Sequence, residues 1–160
     1  MQEKSSSLYL FGDLLALARQ SWVRQMAEHL EQRGFDDYRR SDAVVMRLLR
    51  WGPVGVGALG QRLGVTRQAA RKLTTALERR GYAQTRPDAR DARRLNVELT
   101  AAGREYADAI VQAVETLNRE LAVRIEDDQL HAADAVLRAA MDPSARQRAD
   151  ALVRRPGRDG

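Results

Sequence analysis

The sequence contains no cysteine, and that one absence removes disulfides, thiolate metal sites and thiol redox sensing together. Histidine is nearly as scarce. His29 and His131 stand in separate stretches with no metal-ligand spacing and read as ordinary helix residues. Aromatic residues make up 5% of the chain, so aliphatic side chains and alanine must fill the core. No apolar run approaches the roughly 20 residues of a membrane span. The start, MQEKSSSLYLFGDLL, has neither the apolar centre nor the cleavage site of a signal peptide. A cytoplasmic protein with no membrane partner is expected. Lysine is almost missing: Lys4 and Lys72 carry the only two ammonium side chains, and arginine supplies the other basic charges. Catalytic patterns are wanting too. Gly52, Gly55, Gly57 and Gly60 cluster without forming a phosphate loop, and no Ser-His-Asp arrangement is visible. Glu126-Asp127-Asp128 reads as the capped start of a helix rather than a metal site. The chain is expected to be no enzyme and to hold no metal or cofactor.

What the sequence does have is a punctuated stretch from Ala58 to Gly81, ALGQRLGVTRQAARKLTTALERRG. Leu59 and Leu63 lie four apart, on one face of a short helix. Gly64 follows, able to take the left-handed conformation that ends a helix. Val65 is apolar enough to plug the inside of the turn. Thr66 is an N-cap, with an oxygen for a free backbone N–H. A second helix then sets Ala70, Leu73 and Leu77 on one face and Arg67, Gln68, Arg71, Lys72 and Thr75 on the other, and Gly81 closes it. Two helices joined this way make a helix-turn-helix, whose second helix enters the major groove of DNA.

Charge is concentrated in the same region. Arg62, Arg67, Arg71, Lys72, Arg79, Arg80, Arg86, Arg90, Arg93 and Arg94 are ten basic residues against Glu78, Asp88 and Asp91, a net of +7. The chain holds 27 basic and 22 acidic residues, so the remainder carries 17 against 19, or −2. A basic segment laid over a helix-turn-helix is an electrostatic footprint for phosphates.

The flanking patterns are helical. Phe11, Leu15, Ala18, Trp22, Met26 and Leu30 recur at helical spacing up to Gly34. Ser41 is placed to cap a helix holding Val44, Val45, Leu48 and Leu49, which Gly52-Pro53 stops. Val54-Gly55-Val56 suits a minimal strand, with Gly57 capping the first helix of the motif. Tyr82 to Arg86 reads as a strand ended by Pro87. Leu95, Val97 and Leu99 alternate with Asn96 and Glu98 as a second strand, so the two form a wing around a basic loop. Thr100 caps a long helix with Tyr106, Ile110, Ala113, Leu117 and Leu121 on one stripe, and Leu130, Ala133, Leu137 and Met141 mark a further helix. Asp142-Pro143 ends it, and an arginine-rich tail follows as a short helical extension and then disorder. The apolar stripes at both ends exceed the partner surface within one chain. A twofold dimer through the terminal helices is expected; the alternative is a monomer whose terminal helices pack on each other. The resulting division is a dimerisation helix over 1–36, a winged helix-turn-helix lobe over 37–100, dimerisation helices over 101–141 and a basic tail over 142–160. The fold class is mainly α with a small β-wing.

Two stretches carry a family resemblance: Leu59 to Arg67 with Leu77-Glu78-Arg79-Arg80-Gly81, and Asp91-Ala92-Arg93-Arg94-Leu95-Asn96-Val97-Glu98-Leu99-Thr100-Ala101-Ala102-Gly103. The second is similar to a wing signature of Asp, any residue, Arg, then V-x-L-T-x-x-G. With it, the sequence resembles the MarR family of bacterial transcription regulators, named for multiple antibiotic resistance, over about residues 8 to 141. Gly57 departs from the family's usual Ser or Thr and Gly60 from its usual Ala, and both are expected to loosen the first helix of the motif. The resemblance implies a homodimeric repressor on a pseudo-palindromic operator, released by a small aromatic or anionic ligand. By the same resemblance Thr66, Arg67, Gln68 and Arg71 face base edges or adjacent phosphates. Arg93 enters the minor groove, held by Asp91, while Arg62, Lys72, Arg86, Arg90 and Arg94 complete the DNA-binding set. Ligands of the family lie between the dimer helices and the DNA-binding lobe. That position brings in Trp22, Met26, Tyr38, Met46 and Trp51, for which plain core is the competing reading. An effector-independent architectural or protein-binding winged-helix module stays open as the alternative function.

Overall fold

The computed structural model describes residues 10–89, 91 and 93–153. Helix α1 (Phe11–Glu31) buries Met26 and Leu30 near its C-terminal end, where it packs on α5 (Ala101–Ala122). Helix α2 (Asp42–Leu49) is short and has a strongly apolar face, with Val45, Met46, Leu48 and Leu49 buried, and it also packs on α5. Strand β1 (Val54–Gly55) leads directly into α3 (Val56–Leu63), and α4 (Arg67–Arg79) follows across a tight turn. Strands β2 (Ala83–Pro87) and β3 (Leu95–Leu99) form the wing. Beyond α5 lie α6 (Asp127–Ala140) and α7 (Pro143–Val153).

The sheet is antiparallel throughout, in the order β1-β3-β2. Ala83 faces Leu99, Thr85 faces Val97 and Pro87 faces Leu95, while Val54 pairs with Val97 on the other side. Period-two patterning explains why Val97 and Leu99 enter the core. Leu95 shares their face but is 48% exposed, because the wing runs out past the body of the lobe.

Three local expectations are corrected. The strand stops at Gly55, which stands at the N-cap in extended conformation, and Val56 already belongs to α3; Gly57 lies inside the helix and caps nothing. Burial of the Val56 side chain in the first helical turn accounts for the shift. Ser41 occupies the N-cap position of α2, yet its backbone is helical and its side chain makes no capping bond. Asp42 instead closes the preceding turn, its carboxylate accepting the Arg39 backbone N–H at 3.0 Å. Val65 is 38% exposed and does not plug the turn. The turn closes by backbone contact instead, as a Cβ at Gly60 would sit 3.1 Å from the Val65 carbonyl and 3.4 Å from the Ala70 Cβ. Gly60 thus allows the close approach of α3 and α4 at this turn.

The other punctuation behaves as its chemistry requires. Gly64 is left-handed at φ 64°, and the Gly64 and Val65 N–H groups return to the Gln61 and Gly60 carbonyls. Gly81 does the same for α4 at φ 77°, with Gly81 and Tyr82 bonding back to Glu78 and Leu77. Both are Schellman closures, which only a residue tolerant of positive φ makes without strain. Glu126 caps α6 in a reciprocal capping box with Gln129. Asp142 accepts the Ala145 N–H at 2.7 Å, so the Asp-Pro pair that ends α6 also starts α7.

Candidate nucleic-acid interface

Thr66 fixes the start of α4 by accepting the Ala69 N–H at 3.1 Å. The 3.6-residue period then commits the helix. Ala70, Thr74 and Leu77 are buried, which leaves Arg67, Gln68, Arg71 and Lys72 exposed together. Thr74, a polar residue in the core, satisfies itself by donating to the Arg71 carbonyl at 3.0 Å. Arg71 reaches from the helix to the wing, donating to the Thr85 hydroxyl at 3.3 Å, and that hydroxyl donates in turn to Glu78. The helix and β2 are thereby joined through side chains as well as through the core.

The wing is held by acids as much as it is charged by arginines. Arg86 pairs with Glu98 across the sheet at 2.9 Å, and Glu98 also accepts from Gln84 at 2.9 Å. Asp88 organises the loop: its carboxylate accepts the Asp91 N–H at 3.2 Å and the Asn96 amide at 2.6 Å. Charge counting treats Asp88 only as a subtraction and misses this. Asp91 accepts the Arg93 backbone N–H at 3.1 Å and pairs with the Arg94 guanidinium at 3.4 Å. It therefore grips Arg93 through the main chain, while the carboxylate–guanidinium contact expected at Arg93 is made by Arg94. The Arg93 side chain is exposed. Arg62 is half-buried beside the turn. Arg90 lies outside the described residues.

One member of the basic footprint leaves it. Arg80, the C-cap of α4, is 10% exposed and turns inward. Its guanidinium bonds Asp37 at 2.6 Å, Asp42 at 2.8 Å and the Asp37 carbonyl at 2.7 Å. The Tyr106 hydroxyl donates to the same Asp42 oxygen at 2.8 Å, and Tyr82 donates to Asp37 at 3.1 Å. The two tyrosine rings stack at 4.3 Å, with the Arg80 guanidinium 5.0 Å from the Tyr82 ring and 5.6 Å from that of Tyr106. Burial works against the Arg80 charge, but its bonds to Asp37 and Asp42 outweigh this and raise its pKa above the ordinary arginine value. This cluster ties the end of α4 to the α1–α2 connection, to α2 and to α5. Nothing in the spacing of the sequence signals it.

The five aromatic and methionine positions do not form one cleft. Met26 and Met46 are 1% and 0% exposed, closed into the core. Trp22 and Tyr38 pack half-buried against that core, and Trp51 is half-exposed on the surface. A cleft of about 290 Å³ on α1 is lined instead by Ala16, Arg19, Gln20, Val23 and Arg40. Among the described residues no helix is long and apolar enough to cross a membrane.

A basic helix-turn-helix, a basic wing and long flanking helices define a winged helix-turn-helix protein of the MarR type of fold. Solved structures bear this out. The chain is similar to apo MarR from E. coli at 22% identity, covering 82% of this chain and 97% of that one, with a TM-score of 0.59. A cysteine-to-serine mutant of E. coli MarR complexed with operator DNA matches at 21% identity over 85% and 96% of the two chains, with a TM-score of 0.69. The S. aureus MepR–DNA complex matches at 20% identity over 79% and 93%, with a TM-score of 0.67. No protein-family model matches the sequence, and no curated protein does.

Proposed function

We propose that this protein is a sequence-specific regulator of transcription that binds double-stranded DNA as a homodimer, most simply as a repressor on a pseudo-palindromic operator. The observation that carries the reading is the exposed row Arg67, Gln68, Arg71 and Lys72 on a capped helix whose next element is a basic wing. Arginine and glutamine are the side chains that read guanine and adenine bidentately, and a wing arginine suits the negative potential of a narrow minor groove. The similar MarR and MepR structures with bound DNA support the same use of the fold. Selection of bound sequences from random DNA tests it. Enriched sites should carry two half-sites about 10 bp apart. On such a site Arg71→Ala should cost roughly 1–3 kcal/mol and alter base preference. Enrichment of no sequence would instead favour an architectural or protein-binding module.

The dimer rests on apolar surface that the single chain leaves open. Leu14, Leu15 and Leu17 on α1 are 57%, 42% and 61% exposed. Helix α6 buries no residue, with Leu130, Val136 and Leu137 all exposed. Covering one leucine contributes about 1.5–3 kcal/mol, and a carboxylate in its place reverses the sign. Leu15→Asp should therefore convert a dimer into monomers in sedimentation and weaken operator binding with it. A wild-type monomer at micromolar concentration would remove this part of the reading.

For release by a ligand we propose the α1 cleft as the site. Arg19 and Arg40 set two cations over an apolar floor of Ala16 and Val23, which suits an amphiphilic anion such as an aromatic carboxylate. A ligand acts only through its preference for the conformation that does not match the operator. Repeating the selection with such anions present reads that preference directly.

A further inference from the structure

The last described helix is seated on the helix-turn-helix. Helix α7 packs against α3. It is fastened to α6 by Arg138, which pairs with Asp134 on its own helix at 2.8 Å and with Asp150 of α7 at 2.9 Å. Arg148 lies across the turn between α3 and α4: a Cβ at Gly64 would overlap its side chain. Its guanidinium donates to Ser144. Between the two helices opens a cleft of about 470 Å³ lined by Gln61, Arg62, Gly64, Ser144, Gln147 and Arg148.

The chemistry of that lining is one-sided. It offers two guanidinium groups, two amides and a hydroxyl, and no carboxylate. Among the described residues neither Arg62 nor Arg148 has a carboxylate partner. The nearby acid, Asp150, is turned to Arg138. Such a set matches the groups that bind phosphate oxygens without reading sequence. The place matches as well. Gly64 lies two residues before Thr66, the cap of the recognition helix. In a docked helix-turn-helix the first helix crosses the sugar-phosphate backbone beside the groove that the second helix enters. We propose that this cleft holds a backbone phosphate of DNA, making α7 a DNA-contacting element in addition to the winged motif. The proposal rests on the DNA-binding reading above.

The test uses the full chain and a selected site, with affinity measured against salt for wild type, Arg148→Gln and Arg148→Lys. Arg148→Gln should weaken binding several-fold and by the same factor on selected and scrambled DNA. It should flatten the slope of log K against log salt by about 0.9 for each protomer bound. Arg148→Lys, which keeps the charge, should keep the wild-type slope. If both variants flatten the slope equally, Arg148 acts only by packing over Gly64 and the proposal fails. It fails too if Arg148→Gln leaves the slope unchanged or tightens binding, the latter making α7 a brake on the motif. Inorganic phosphate bound by wild type but not by Arg148→Gln, with DNA affinity equal in both, would assign the cleft to a free anion and overturn it. A wild type that binds no DNA at all would overturn the proposed function itself, a result separate from these.

Discussion

Asp42→Ala is expected to cost about 3–5 kcal/mol of folding stability, the range for removing one partner of a buried ion pair. The Asp42 side chain is 4% exposed, and one of its oxygens takes donors from the Arg80 guanidinium at 2.8 Å, the Tyr106 hydroxyl at 2.8 Å and the Arg39 N–H at 3.0 Å. Truncation removes the acceptor of all three, and leaves the fully buried Tyr106 hydroxyl without this partner. Asp37 keeps part of the Arg80 charge balanced, so the lower end of the range is the better expectation. Chemical denaturation measures it, and a loss below about 1 kcal/mol would mean that Asp37 alone neutralises the guanidinium. Under the proposed function DNA affinity should fall along with stability, since Arg80 is the C-cap of α4 and Asp42 opens α2. The same cluster sets a pH dependence. Hydrogen bonding from Arg80 holds Asp37 below its ordinary 3.8 despite burial. Its stabilisation is therefore complete above that value and lost as pH falls through the depressed one. Burial, then the hydrogen bond to Asp37, pushes Tyr82 up from 10.0 to about 12. That stabilisation is complete below pH 10.0 and disappears as pH rises through about 12. Denaturation midpoints should stay flat between these limits and drop outside them.

The contrast between Arg71 and Arg80 shows where the sequence is legible. Local rules placed Thr66, Gly64, Gly81 and Thr100 at their caps, because capping is decided within a few residues of chain. Period two likewise set the Leu95–Leu99 strand, and period 3.6 set the exposed row on α4. Arg80 obeys no local rule. It stands among the basic residues of the motif, and its burial depends on Asp37, 43 residues away, and Asp42, 38 away. Charge counting assigns it to phosphate with its neighbours; folding assigns it to the core. Met26 and Met46 meet the same limit. Composition cannot tell a methionine that lines a cleft from one that fills the core, since the difference is the closing of α1 and α2 on α5. The seat of α7 on α3 was also hidden, because its contacts pair a polar helix with a turn and leave no apolar stripe to read.

Gly103→Ala should destabilise the protein by about 3 kcal/mol, combining overpacking of about 1–3 with loss of a helix cap worth about 1. In an ordinary helix the same change would help by roughly 0.5–1 kcal/mol, because glycine costs backbone entropy there. The sign reverses because Gly103, in the first turn of α5, lies directly on the backbone of Tyr82, and a Cβ would overlap the Tyr82 carbonyl. No side chain can swing aside to relieve the contact. The carbonyl also accepts the Thr100 N–H at 3.1 Å, while the Thr100 hydroxyl donates to the Gly81 carbonyl at 2.6 Å and accepts the Gly103 N–H at 3.0 Å. Making room would pull the start of α5 from the end of α4 and break that set. The T-x-x-G of the wing signature thus has a physical content: threonine caps the helix and bonds the preceding turn, and glycine lets the two backbones touch. In a chain of 160 residues the loss should lower the melting temperature by roughly 6–12 °C. Gly57→Ala supplies the comparison in the same melt. Gly57 is also inside a helix, but a Cβ there meets nothing within 4 Å, so that variant should melt at or slightly above wild type. If Gly103→Ala behaves like Gly57→Ala, α5 can slide over Tyr82 at little cost, and the junction between α4, the wing and α5 is a loose one.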